Sequence, residues 1–143
     1  MKSSQLDANK IEASESSYLY IHLSQLPNSG NGLLTAINIY KDEIISLFKG
    51  EILTESQAKY RAKKGNDKYF ISLLNGTIMD SMKVNCFAKY ANDTKGSAVT
   101  KFKNNAKIGL DESQNVCLIT TRNIKMGEEI FCSYGKHYWD KHG

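Results

Sequence analysis

A mostly β domain of many short strands, with few short helices, is the fold class this sequence predicts. Three observations predict it. Short runs of β-favouring residues alternate with turn clusters rich in Gly, Asn, Asp and Ser. Only one segment carries a full set of helix start and stop signals. Two eleven-residue stretches, 85 positions apart, both read as strand, turn, strand.

The chain's 143 residues suit one domain, with enough length to bury a core without disulfide or metal staples. No apolar run approaches the ~18 residues of a membrane span. Residues 1–17 are polar and aperiodic, and read as a flexible leader to a domain over 18–143. Tyr18-Leu19-Tyr20-Ile21 starts a strand, and Pro27-Asn28-Ser29-Gly30-Asn31-Gly32 is a dense turn cluster. Leu33 to Ile37 and Ile44 to Phe48 read as strands split by the polar turn Tyr40-Lys41-Asp42-Glu43. Thr54-Glu55-Ser56-Gln57 is a capping box that opens a helix through about Lys64, ended by Gly65. Tyr69 to Leu74 and Thr77 to Asp80 flank Asn75-Gly76, a strong hairpin signal. Val84 to Ala91 reads as a short helix, whereas Ala98 to Lys107 is polar and ambiguous. Val116 to Thr121 and Glu129 to Tyr134 are strands around a turn at Lys125-Met126-Gly127, and Lys136 to His142 suits a short amphipathic helix. The echo pairs Thr35–Ile45 with Thr120–Ile130, with five of eleven positions identical, and suggests two similar β corners in one fold.

Charge and cysteines narrow the function classes. Net charge is +4, yet 17 of the 19 basic residues are lysine, and arginine, the better bidentate reader of phosphate and guanine, occurs only as Arg61 and Arg122. Sequence-specific nucleic-acid recognition is therefore not expected, and neither is a membrane partner. Cys86, Cys117 and Cys132 are an odd number without a C-x-x-C, which argues against a zinc ribbon or a secreted disulfide framework and for reduced thiols in an intracellular compartment.

Three blocks stand out chemically. Gly30-Asn31-Gly32-Leu33 allows a positive φ and close backbone approach to a ligand, although a tight turn alone would explain it. In Asn85 to Asp93, Phe87 and Tyr90 share one helical face, and Asn92-Asp93 follows as a polar pair that a helix terminus would also explain. Asn123 to Ile130 leads into Cys132-Ser133-Tyr134-Gly135 and then His137, Tyr138 and Trp139. Such ring clusters form core or wall a channel for an aliphatic or cationic side chain.

In this order, over about Tyr18 to Trp139, the blocks resemble the SET domain of protein-lysine methyltransferases. Gly30-Asn31-Gly32-Leu33 matches the family's cofactor turn, and Gly50-Glu51 its strand ending in Gly-Glu. Tyr69-Phe70 and Ile78-Met79-Asp80 are similar to its Tyr-x-Phe and Ile-Asp elements. Lys89-Tyr90-Ala91-Asn92-Asp93 stands where the family has Arg-Phe-x-Asn-His, and Ile124 to Ile130 with Ser133-Tyr134-Gly135 matches its Gly-Glu-Glu and Asp-Tyr-Gly blocks. The short chain is most similar to the compact viral and microbial SET proteins. It departs from the pattern in carrying Asp93 for His, in lacking the Cys-x-Pro-Asn segment, for which Asn104-Asn105-Ala106 offers an equivalent Asn, and in lacking a cysteine-rich zinc segment, so no metal is expected.

The resemblance implies several small sheets with a C-terminal segment threaded through a pseudoknot. It implies methyl transfer from S-adenosylmethionine to a lysine amine of a protein or peptide, with histone tails the leading substrate, S-adenosylhomocysteine the product and chromatin the location if so. It also implies a candidate homodimer. Tyr134 would be catalytic. Gly30, Asn31, Gly32, Leu33, Tyr69, Asn92, Asp93 and Trp139 would bind cofactor, and Tyr90, Cys132 and Tyr138 would line the substrate channel. A free lysine, with a pKa of ~10.4, is neutral in at most about one molecule in a thousand at pH 7, so the channel's work is to desolvate the ammonium. No strong base is needed, and His22, His137 and His142 read as surface or packing residues. The alternatives are a non-histone substrate or an inactive SET-like binding module, the latter suggested by Asp93.

Overall fold

The computed structural model describes residues 9–73, 76–96 and 100–133. Among the described residues, ten strands form three small sheets around one core. The first sheet orders β1 (Leu19–Leu23), β2 (Asn31–Thr35) and β9 (Glu129–Ile130). The second orders β10 (Cys132–Ser133), β7 (Ala106–Leu110), β8 (Val116–Thr120) and β3 (Ile44–Leu47). The third orders β4 (Glu51–Leu53), β6 (Ile78–Asp80) and β5 (Phe70–Ser72).

The first two sheets are related by the sequence echo. The hairpin β1–β2 pairs Leu19 with Thr35 through to Leu23 with Asn31, and the hairpin β7–β8 pairs Ala106 with Thr120 through to Leu110 with Val116. Each hairpin then runs into a corner, and the two corners clasp each other reciprocally. Ile39 N donates to Ile124 O and Ile124 N to Ile39 O, both at 2.8 Å. Asn38 Oδ1 accepts from Met126 N while Asn123 Oδ1 accepts from Lys41 N. Glu43 caps Tyr40 N as Glu128 caps Lys125 N. Gly127 N donates to Thr35 O as Asp42 N does to Thr120 O, and Asp42 and Gly127 share the left-handed turn conformation at φ 71° and 86°. The core repeats the relation. Leu33 and Leu118, Ile39 and Ile124, and Ile45 and Ile130 are all fully buried, and each pair is 85 positions apart. The echo records a pseudo-two-fold pair of β units.

After its corner, each unit sends its next strand to the other. β3 leaves the first corner and pairs with β8, and β9 leaves the second corner and pairs with β2.

Among the described residues, two α-helices lie outside this pair. In α1 (Glu15–Tyr18), the Glu15 carboxylate accepts from Ser46 Oγ at 2.6 Å and Leu47 N at 3.0 Å, and Tyr18 donates its hydroxyl to Ile45 O. Lys10 bridges to Ile44, and Ile44 N donates to Asn9 O. From Asn9 onward, the segment expected to be a leader is therefore docked along the outer edge of β3, where it satisfies an open sheet edge. α2 (Glu55–Lys63) has the expected capping box, with Thr54 Oγ1 accepting from Gln57 N and Gln57 Oε1 from Thr54 N. Only Ala58 of this helix is buried, and Arg61 pins it to the third sheet by bonds to Glu51 at 3.0 Å and the buried Asp80 at 2.7 Å. The expected C-terminal helix over 136–142 lies outside the described residues.

Candidate active site

The segment from Glu129 to Ser133 is gripped on every side. Ile130 and Glu129 pair with Leu33 and Leu34 of β2. Phe131 forms a parallel bridge with Asn92, and Cys132 N donates to Asn92 O at 2.8 Å. From the opposite side Asn105 N and Ala106 N both donate to Phe131 O. The Asn105 side chain closes the grip, donating to Glu129 O at 3.0 Å and accepting from Phe131 N at 2.8 Å. The chain thus passes between the stretches at 92 and 105, which is the threading expected of it. Phe131 breaks the single strand expected over 129–134 into β9 and β10 because its backbone serves these two flanks and not one sheet.

This threading brings distant motifs together. Asn92 Nδ2 donates to Asn31 O at 3.0 Å, which ties the Asn-Asp pair to the glycine turn across 61 positions. In that turn Gly30 has φ +63°, a conformation that favours glycine, and open space where a Cβ would point. Gly32 has no positive φ. A Cβ on it would sit 2.3 Å from Oε2 of Glu129, a buried carboxylate that accepts from Ser24 Oγ at 2.6 Å and Gln25 N at 2.8 Å. Asn31 is exposed, whereas Leu33 is fully buried in the core, so only its backbone faces the turn's surroundings.

Asp93 is buried. Its Oδ1 accepts from Lys95 N and Asn104 Nδ2, both at 2.9 Å, and Asn104 Oδ1 accepts from Thr94 N and Thr94 Oγ1. A carboxylate in place of the family's His therefore braces the loop that flanks the threaded strand. Asp93→Asn keeps the oxygen that accepts both bonds. It is expected to retain methyl-transfer turnover within about tenfold, or about 1.4 kcal/mol of barrier. Turnover assayed beside melting temperature checks this, and a larger loss would show that the negative charge itself is required.

Cys132 is fully buried. Burial, and secondarily the charge of Asp93, push its thiol far above the usual range, so it stays neutral within the core. Tyr69 and Tyr90 are half-buried, and the Lys89 ammonium lies 5.3 and 5.4 Å from their ring centroids. That ammonium also donates to the carbonyls of Ser81, Met82 and Val84, a hub that sequence reading did not single out. A largely apolar groove of about 370 Å³ is lined by Ile71, Leu73, Ile108, Leu110 and Val116, with Ser72 and Gln114. It begins one residue past Lys107, the β7 partner of Ser133. Tyr134, Tyr138 and Trp139 lie outside the described residues. Among the described residues no group of His, Cys, Asp and Glu gathers to hold a metal.

A glycine turn tied to an Asn-Asp pair, beside a Gly-Glu-Glu strand that passes between the stretches at 92 and 105, is the arrangement the family comparison concerns. The SET domain model matches residues 30–135, and the chain belongs to that family. Its members are in general protein-lysine methyltransferases that use S-adenosylmethionine. A solved chain from apo ctPRC2 with mutated Ezh2 is similar in fold, with a TM-score of 0.69 and 24% identity over 87% of this chain and 16% of that one. This chain thus spans about a sixth of that protein's length. No curated protein matches it in sequence.

Proposed function

We propose that this protein transfers a methyl group from S-adenosylmethionine to a lysine ε-amine of a protein, with histone tails as the leading substrate. The observation that carries the reading is the Asn92–Asn31 bond beside the threaded 129–133 strand, because it assembles the motifs the chemistry needs at one place. The turn fits the cofactor: Gly30 leaves open space, Asn31 is exposed, and Asn92 braces the turn from behind. Gly30, Asn31, Gly32 and Asn92 would hold it, with Trp139 and Tyr69 as further contacts. When bound, the cofactor supplies an electrophilic sulfonium methyl.

The chain's own residues do the rest. The half-buried rings of Tyr69 and Tyr90 and the neutral Cys132 offer a weakly polar passage that disfavours the ammonium form of an entering lysine. Holding the amine ~3 Å from the methyl and in line with it then does most of the catalytic work. We assign the polypeptide flanking the lysine to the groove between Leu73 and Leu110, which adjoins the end of β10. Incubation with radiolabelled S-adenosylmethionine and mixed histones is expected to label a histone. Label on other proteins alone would move the substrate outside chromatin. No label, with the cofactor still bound, would favour an inactive binding module, the reading that Asp93 supports.

Cys132 predicts the extent of methylation. A side chain this small leaves a partly methylated amine room to turn and present its lone pair again. Wild type is expected to give di- or trimethyl product, and Cys132→Tyr to shift the product toward monomethyl, as read by mass spectrometry. The ring costs about 1–3 kcal/mol by overpacking, which the melting temperature reports separately.

A further inference from the structure

We propose that Glu129 is a positioning residue for the cofactor turn: its buried carboxylate holds the 24–32 segment in its binding shape. The proposal rests on the reading of that turn as the S-adenosylmethionine site. Glu129 enters from a strand more than a hundred positions away and bonds Ser24 Oγ and Gln25 N at the start of the turn. Ser24 passes the restraint on, since its hydroxyl accepts from Leu26 N and its own N–H donates to Gly30 O at 2.8 Å. The carboxylate then lies across Gly32, where a Cβ would be 2.3 Å from Oε2 and 2.9 Å from Cδ. Glycine is required there by Glu129 and not by backbone conformation.

The pseudo-two-fold relation supplies an internal control. In the second unit the positions equivalent to Gly32 and Glu129 are Cys117 and Ile44, two ordinary side chains on the equivalent strand pair. Its hairpin loop, residues 111–115, is two residues shorter than residues 24–30 and is tied internally, with Asp111 accepting from Ser113 N and Asn115 N. The β unit therefore folds without a glycine and a buried acid at these positions. Burying a carboxylate is costly unless its bonds are used. The pair occurs only in the unit whose turn faces Asn92, so the departure from symmetry follows the turn and not the sheet.

The test measures affinity for S-adenosylmethionine and for S-adenosylhomocysteine by calorimetry, with hydrogen exchange at Gln25 and Leu26, in the full chain. Gly32→Ala and Glu129→Ala are each expected to weaken both affinities at least tenfold. The double variant is expected to match Glu129→Ala within twofold, because once the carboxylate is gone the added methyl meets only Ser24 Cβ, at 3.2 Å, a contact that a shift of a few tenths of an ångström relieves. Glu129→Ala is also expected to lose exchange protection at Gln25 and Leu26. Ser24→Ala, which removes the hydroxyl's bonds to Glu129 and from Leu26 N and leaves the strand intact, is expected to weaken affinity severalfold, and it keeps the test open should Glu129→Ala fold poorly. Equal losses from Gly32→Ala in both backgrounds would overturn the proposal, since the methyl would then be meeting the cofactor. So would a lowered melting temperature in Glu129→Ala with unchanged affinity. A wild type that binds neither compound overturns the cofactor reading and the positioning role together, whereas retained affinity in wild type with unchanged exchange in Glu129→Ala overturns the positioning role alone.

Discussion

Tyr134→Phe is expected to lose at least ~100-fold in turnover, about 2.7 kcal/mol of barrier, with cofactor affinity and melting temperature little changed. Tyr134 directly follows β10, whose two residues are fixed against Ala106 and Lys107 on one side and by Asn92 O on the other. The family resemblance implies that its hydroxyl would accept weak CH···O contacts from the methyl and orient the amine. Each such contact is worth about 0.5–1 kcal/mol, and a preorganised site uses it mainly in the transition state. Loss of turnover with unchanged binding is therefore the expected signature. A phenylalanine variant that melts earlier yet turns over normally would make Tyr134 a core ring whose hydroxyl serves the backbone. Single-turnover rates measured beside melting temperatures separate the outcomes.

Asn105→Ala is expected to cost about 3 kcal/mol of stability, and activity with it. The side chain satisfies Glu129 O and Phe131 N at once, and Phe131 is buried. Truncation leaves a buried donor and a carbonyl short of partners, each at about 1–3 kcal/mol. Partial access of water at the half-buried Asn105 keeps the total toward the middle of that range. Urea unfolding checks it through a shifted midpoint at unchanged slope. A shift worth less than about 1 kcal/mol would mean that the backbone bonds from Asn105 and Ala106 to Phe131 hold the threaded strand without the side chain.

What was legible in the sequence was local or repeated. The capping box at Thr54–Gln57 and the hairpin between β5 and β6 need only neighbouring residues, and both lie where expected. The echo was legible because its identities, Thr35, Asn38, Ile39, Glu43 and Ile45 with their partners, include side chains that make the reciprocal corner bonds and fill the core. The misses have long-range causes. Glu15 looked like solvent-facing polarity because its partners, Ser46 and Leu47, are thirty-one and thirty-two positions on. The β7 segment looked ambiguous because β8 and β10 impose its strand form on a lysine- and asparagine-rich stretch. A helix over Val84–Ala91 reduced to a single turn at Ala88–Tyr90. Lys89 captures the carbonyls of Ser81, Met82 and Val84, and the last of these is the one a helix starting at Val84 would offer to Ala88 N. At the site, motif order singled out the glycine turn and Asn92, which the fold joins by the Asn92–Asn31 hydrogen bond. It did not single out Glu129, since a glutamate in a Gly-Glu-Glu turn gives no sign that it will be buried against Ser24.

The exchange of strands between the two β units dictates when this protein can fold. Each hairpin closes locally, yet each sheet is finished by a strand delivered from the far corner, which makes contact order high and folding slow for the chain's size. On the ribosome the constraint is directional. The first hairpin emerges early but waits for Glu129 and Ile130, synthesised almost a hundred residues later, before its inner strand gains a second neighbour. Until then Leu33 and Leu34 present an apolar strand edge to solvent, and the nascent half-domain is the species most exposed to aggregation or chaperone capture.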